Sequence, residues 1–188
     1  MYLNPPLYWI EALFKAKNPI IDLGEHYIKQ NFRNRYHIAG ANGIERLVVP
    51  LEKGKNQKTP MHQVRISYAE NWVHQHKKAL QTAYSKTPFY AYYGPELEDI
   101  YAQNFPFLTQ LNRALLEWIL KELGLSIDST SFSLSYIEKC TTDLRKPLQE
   151  YKPVSYRHLN KDRYSVESNI SILDALFHEG RAARLLFL

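Results

Sequence analysis

The sequence lacks much of what usually identifies a chain at a glance. It has one cysteine in 188 residues, Cys140, so no internal disulfide can form and no tetrahedral site can be built from thiolates. A reducing cytoplasm is the simplest compartment for such a chain. There is no run of five or six like charges, which argues against a nucleic-acid arm or a membrane-surface helix. No stretch reaches the ~18 consecutive apolar residues of a membrane span. Glu11, Lys15 and Lys17 interrupt the opening twenty residues, where a secretory leader is apolar. Gly-rich phosphate loops, a Gly-x-Ser-x-Gly elbow and a His-Glu-x-x-His pair are all missing. Cys140, beside Lys139, Thr141 and Thr142, has no activating neighbours in sequence and reads as a structural or incidental thiol. The sequence points to no metal and names no cofactor.

What remains is an ordinary soluble composition, 45% hydrophobic and 23% charged, in a length that suits one domain over 1–188 burying roughly 70% of its unfolded surface. Two features depart from the ordinary. The 14 tyrosines outnumber the 8 phenylalanines and 3 tryptophans together; a tyrosine ring packs well, but its hydroxyl needs a partner when buried, which suits a wet cleft. The net charge is +5, a mild excess that makes small anions plausible partners and offers nothing to nucleic acid.

Periodicity predicts a mixed α and β (α+β) fold, a small sheet with a hairpin packed against a helical layer. Trp9, Leu13 and Ala16 form a helical stripe after Pro5 and Pro6 and before Asn18-Pro19. Ile20, Ile21 and Leu23 read as a short strand. Residues 35–50 read as a hairpin about Asn42-Gly43. Val64, Ile66 and Tyr68 alternate as a strand. Three helices follow over roughly 70–85, 88–103 (interrupted at Gly94-Pro95) and 106–123, the last ending at Gly124. A strand is expected within 126–136, a short helix about 143–150, and a buried helix over Ile170–Phe177.

Three constellations carry possible chemistry. If 25–36 is extended, Arg33 and Arg35 share a face with Asn31 and Lys29, and paired guanidinium forks suit phosphate or carboxylate; an exposed strand face paired to acidic neighbours is the plainer alternative. On the helix over 70–85, Trp72, His76, Leu80 and Ala83 share the inward face, so His76 is either a satisfied core imidazole or, beside a cleft, a general base or acid. Lys86 follows as a phosphate contact or a surface cation at a helix end. Ser171 and Asp174 stand at capping-box spacing; otherwise Asp174 is a carboxylate that orients His76 or a substrate amine.

The blocks Tyr27-x-Lys29-x-x-Phe32-x-Asn34-Arg35-Tyr36-x-Ile38, Asn42-Gly43-x-x-x-Leu47-x-Val49-Pro50, Trp72-x-x-x-His76-x-x-x-Leu80-x-x-x-Tyr84-x-Lys86-x-Pro88-Phe89, Leu108-x-x-Leu111-Asn112 and Asn169-Ile170-Ser171-Ile172-Leu173-Asp174-x-Leu176-Phe177-x-x-Gly180 together resemble the WbqC-like family. The resemblance implies a role among bacterial genes for surface polysaccharide, particularly O-antigen, synthesis, with transfer of glycine to a sugar among the reactions proposed for the family. Its members open with a short strand before a Tyr-Leu-Pro-Trp-like helix start. Here the sequence opens Met1-Tyr2-Leu3-Asn4-Pro5, so that strand is expected to be missing.

The combined expectation is a cytoplasmic enzyme that transfers an acyl or aminoacyl group, glycyl included, to an activated sugar. Its cleft lies between the Arg33–Arg35 segment and the His76 helix. His76 and Asp174 are the catalytic candidates. Lys29, Arg33, Asn34, Arg35, Trp72, Tyr84, Lys86 and Asn112 are the candidates for binding an anionic or nucleotide-linked sugar. The competing expectation is a binding or assembly protein of the same pathway, without chemistry. The geometric discriminator is whether Arg33, His76 and Asp174 converge on one concave site.

Overall fold

A computed structural model describes residues 1–52, 58–125, 131–145, 156, 158 and 169–187. Within them the chain is a mixed α and β fold: α1 (Leu7–Lys15), β1 (Ile20–Asp22), β2 (Arg35–Gly40), β3 (Gly43–Val48), α2 (Trp72–Tyr84), α3 (Tyr90–Ala102), α4 (Leu108–Glu122), β4 (Ser131–Ser133) and α5 (Ile172–Glu179), with a single 3₁₀ turn at Met61–Gln63 and a longer 3₁₀ helix at Gly180–Leu186. One hydrophobic cluster runs through the described residues from Met1 to Phe187.

The hairpin forms over the expected residues, with its turn one position earlier than the pattern places it. Strands β2 and β3 pair antiparallel, Arg35 opposite Val48, His37 opposite Arg46 and Gly40 opposite Gly43. The two-residue turn is Ala41-Asn42, one position before the expected Asn42-Gly43; neither residue takes a positive φ, and Gly43, the first residue of β3, sits at φ 129°, a conformation open to a residue without Cβ. Tyr36 and Ile38 face the core, both fully buried. The free edge of β2 takes up the chain just before α5, with the Ser171 N–H donating to the His37 carbonyl at 2.9 Å. A second, parallel pair joins β1 to β4. The part of the predicted 126–136 strand before Ser131, and the part of the predicted 143–150 helix after Arg145, lie outside the described residues.

Two helix starts are capped as their sequences suggest. Asn71 Oδ1 accepts the His74 N–H at the start of α2, and Ser171 Oγ accepts the Leu173 N–H at the start of α5, each satisfying an orphan amide. At the other end of α5, Gly180 adopts φ 59°, where a Cβ would stand 2.7 Å from the Phe89 ring. α3 differs from expectation, because it runs unbroken through Gly94-Pro95. Proline there removes only one bond, to the carbonyl of Ala91, and both residues are exposed, so water can serve that oxygen.

The alternating run Val64–Tyr68 does not form a strand. Arg65 and Ile66 make isolated bridges to Phe107 and Leu51. The Ile66 and Ser67 N–H groups donate to the carbonyls of Pro106 and Pro50. These prolines have no N–H to return, so no ladder can extend. The segment before β2 also departs from a simple strand. Residues 29–34 turn, with Gln30 at φ 58°, and this breaks the period of two that was expected to align Arg33 with Arg35.

Candidate functional site

The turn at 29–34 sends the two arginines to different places. Arg33 is fully buried and ion-paired through Nη2 to Glu25, itself buried. Its Nε and Nη1 have no hydrogen-bond partner among the described residues. Arg35 is half-buried and lines a cavity of about 520 Å³ with Gln30, Asn31, Phe32, His37 and Arg46. Hairpin register puts Arg46 opposite His37, hence on the same face as Arg35 and diagonal to it. Neither guanidinium has a carboxylate partner among the described residues. Arg35 Nε is buried and unpartnered, as is the Asn31 Oδ1 oxygen. The Arg35 pKa is lowered, first by desolvation and then by the charge of Arg46.

Two like charges on neighbouring strands repel. At the ~7 Å of a diagonal pair this costs about 0.6 kcal/mol in bulk water and more where water is partly excluded. An anion held between them removes that cost and fills both donor forks. The Phe32 and His37 rings meet edge to face at 5.5 Å, giving the cavity an aromatic wall. Arg46 was not singled out by the sequence reading. A turn at the expected Asn42-Gly43 would pair Arg46 with Ala39; the turn at Ala41-Asn42 pairs it with His37 and so brings it diagonal to Arg35.

His76 sits elsewhere. Its Nε2 is 3.1 Å from the Val48 carbonyl, which can only accept, so Nε2 carries the proton and Nδ1 is the acceptor. A directed relay follows. Asn4 Nδ2 donates to the Tyr101 hydroxyl at 2.7 Å, Tyr101 to the Tyr36 hydroxyl at 3.2 Å, and Tyr36 to His76 Nδ1 at 3.4 Å. Burial lowers the His76 pKa to about 4, opposed in part by the Val48 carbonyl, so the ring is neutral at pH 7. Trp72, also buried, packs edge-on against His76 and Tyr101 at 5.1 and 5.9 Å.

Asp174 occupies a third network. Fully buried, it takes a very short hydrogen bond from the Tyr156 hydroxyl. Its Oδ1 stands 3.2 Å from His158 Nε2. His178 donates from Nδ1 to the Asp174 backbone carbonyl at 2.7 Å and stacks on His158 at 4.8 Å. The Tyr84 hydroxyl accepts the Ala39 N–H at 3.0 Å, and burial, followed by the Asp174 charge, raises its pKa well above 10. Sequence reasoning missed Tyr156, His158 and His178, since nothing in their spacing ties the first two to α5.

The binding candidates therefore divide. Asn34 donates to the Val49 carbonyl and accepts from Tyr27, both at 2.9 Å. Asn112 donates to the Arg33 carbonyl at 2.8 Å. Both amides, like Trp72, Tyr84 and Arg33, are buried within the fold. Lys29 and Lys86 are exposed. Arg33, His76 and Asp174 belong to three separate bonding networks, and only Arg35 among the predicted residues lines the cationic cavity. Among the described residues no group of three His, Cys, Asp or Glu side chains is placed to hold a metal ion, and no helix is long and apolar enough to cross a membrane.

No curated protein and no solved structure matches this sequence. A family model does match, over residues 2–148. That range contains the hairpin, its arginines and the His76 helix, and stops before the Asn169–Gly180 block and Asp174. The chain belongs to the WbqC-like protein family.

Proposed function

We propose that the chain binds a phosphate-bearing, nucleotide-linked amino sugar in bacterial surface-polysaccharide synthesis, in the cavity lined by Arg35 and Arg46. Membership of the WbqC-like family supplies the pathway, since that family points to polysaccharide-associated gene clusters. One observation carries the ligand class: two guanidinium groups stand on one face of the hairpin with no carboxylate partner among the described residues. Phosphate oxygens meet both forks, Gln30 and the Asn31 amide offer further donors, and Phe32 with His37 form a flat wall for a base or sugar ring. In this reading Arg33, Asn34 and Asn112 act indirectly. Asn112 holds the Arg33 carbonyl and Asn34 ties the strand start to Val49, so together they fix the turn from which Arg35 projects.

A second reading adds acyl or aminoacyl transfer to the bound sugar. It is favoured by the buried pairing of Asp174 with His158, a carboxylate beside an imidazole being an arrangement that general acid–base chemistry uses. His76 has both its ring nitrogens engaged inside the fold.

The test is a thermal-shift and calorimetric screen of the full chain against nucleotide-linked amino sugars, free nucleotides and acyl-coenzyme A. A true ligand at about 100 times its Kd stabilises by about 2.7 kcal/mol. Binding by the nucleotide sugars that disappears in Arg35→Gln supports the first reading. New acylated sugar, detected by mass spectrometry and lost in His158→Gln, supports the second. The absence of any binding by phosphate-bearing ligands rejects the first reading.

A further inference from the structure

The described residues that line the anion cavity, Gln30, Asn31, Phe32, Arg35, His37 and Arg46, include no carboxylate. Hairpin register is one reason. The acid next to Arg46 in sequence, Glu45, pairs with Ile38, and strand alternation turns it to the other face. Desolvation and the Arg46 charge lower the Arg35 pKa, as two cations with no carboxylate between them require.

A protein-bound pyrophosphate group is neutralised either by a divalent cation chelated to its oxygens or by cations of the protein itself. Magnesium is usually held by one or two carboxylates together with phosphate oxygens and water. Among the described residues the cavity offers it no carboxylate, and the Asn31 Oδ1 oxygen is buried. Two guanidinium groups oppose the ion in two ways. They repel it through space, and their forks take the same phosphate oxygens that it chelates. The charges also balance without it. A pyrophosphate esterified at both ends has one ionised oxygen on each phosphorus, and one guanidinium answers each. Once a magnesium ion has neutralised those oxygens, the repulsion between Arg35 and Arg46 is left without relief.

We propose that the cavity takes a pyrophosphate diester free of any divalent cation, with Arg35 and Arg46 supplying the positive charge that a chelated metal supplies elsewhere. This inference rests on the anion reading of the cavity and adds the form in which the ligand enters. Magnesium then competes with the protein for the ligand, so adding the ion weakens binding. A site that uses the ion as a bridge responds in the opposite direction.

The experiment titrates inorganic pyrophosphate into the full chain by calorimetry, once with EDTA and once with excess magnesium. This probe has no base or sugar, so the result does not depend on which nucleotide is natural. It also chelates magnesium more strongly than a diester does, which enlarges the difference being read. The expected result is saturable binding in EDTA that weakens at least about tenfold in magnesium and is lost in the Arg35→Gln, Arg46→Gln double variant. With manganese in place of magnesium, the amide NMR signals of Arg35 and Arg46 keep their line widths; selective broadening of those two signals overturns the proposal. Binding that needs magnesium, or that is unchanged or tighter in it, overturns the proposal and leaves the anion reading standing. No binding under either condition, or binding in EDTA that survives in the double variant, overturns both.

Discussion

The imidazole of His76 donates from Nε2 to the carbonyl of Val48 at 3.1 Å, and this bond joins the helix α2 to the outer strand of the hairpin. It also fixes the tautomer, and so the direction of the chain of hydrogen bonds that ends at Asn4. A ring so placed must stay neutral for the core to close over it.

The first prediction concerns pH. Burial lowers the His76 pKa from 6.5 to about 4 in the folded chain, so between those values the unfolded chain binds more protons than the folded one. Stability contributed by the neutral ring is therefore complete above pH 6.5 and is lost as pH falls towards 4, by about 3 kcal/mol. Urea unfolding at pH 7.0 and pH 4.5 measures it. In His76→Gln, whose amide can still donate to Val48, this part of the pH dependence disappears.

A second prediction concerns the Arg33–Glu25 pair, in which both side chains are almost wholly removed from water. Arg33→Met removes one of the two cations on Glu25, the buried Met1 ammonium remaining 2.8 Å from Oε1, and costs about 1–3 kcal/mol. The midpoint of chemical denaturation reads this loss. Lys86→Ala, which changes an exposed cation, stays within about 0.5 kcal/mol of the parent chain.

Removing one hydroxyl tests the third network. Tyr84→Phe leaves the buried Ala39 N–H without its acceptor and takes a hydroxyl from beside Asp174, at a cost of about 1–3 kcal/mol. Hydrogen exchange at the Ala39 amide is the more specific readout, and it speeds up in the variant even where the global unfolding midpoint moves little.

The sequence made some of this visible and hid the rest for identifiable reasons. Alternation about Asn42-Gly43 reveals the hairpin, because one buried face requires Tyr36, Ile38 and Leu47 to point the same way. The spacing of Leu111, Leu115, Trp118 and Ile119 reveals α4 for the same reason. Arg33 and Arg35 looked equivalent because a turn two to five residues earlier is not periodic, and positive φ at Gln30 leaves no signal in a residue type that rarely adopts it. Asn34 and Asn112 looked like ligand contacts because their partners are backbone carbonyls, which have no sequence identity. Tyr156 and His158 reach Asp174 from a stretch without helical or strand period, so only the folded chain brings them together.

The most direct test of the anion site is calorimetric titration of a nucleoside diphosphate into the parent chain and into Arg35→Gln, Arg46→Gln and the double variant, with the unfolding midpoint of each measured alone. The account predicts that each single change weakens binding roughly tenfold, which is about 1.4 kcal/mol. It also predicts that the double variant does not bind, and that the unliganded chains are as stable as the parent or more so, because a like-charge contact has been relieved. Unchanged affinity in the double variant contradicts the account.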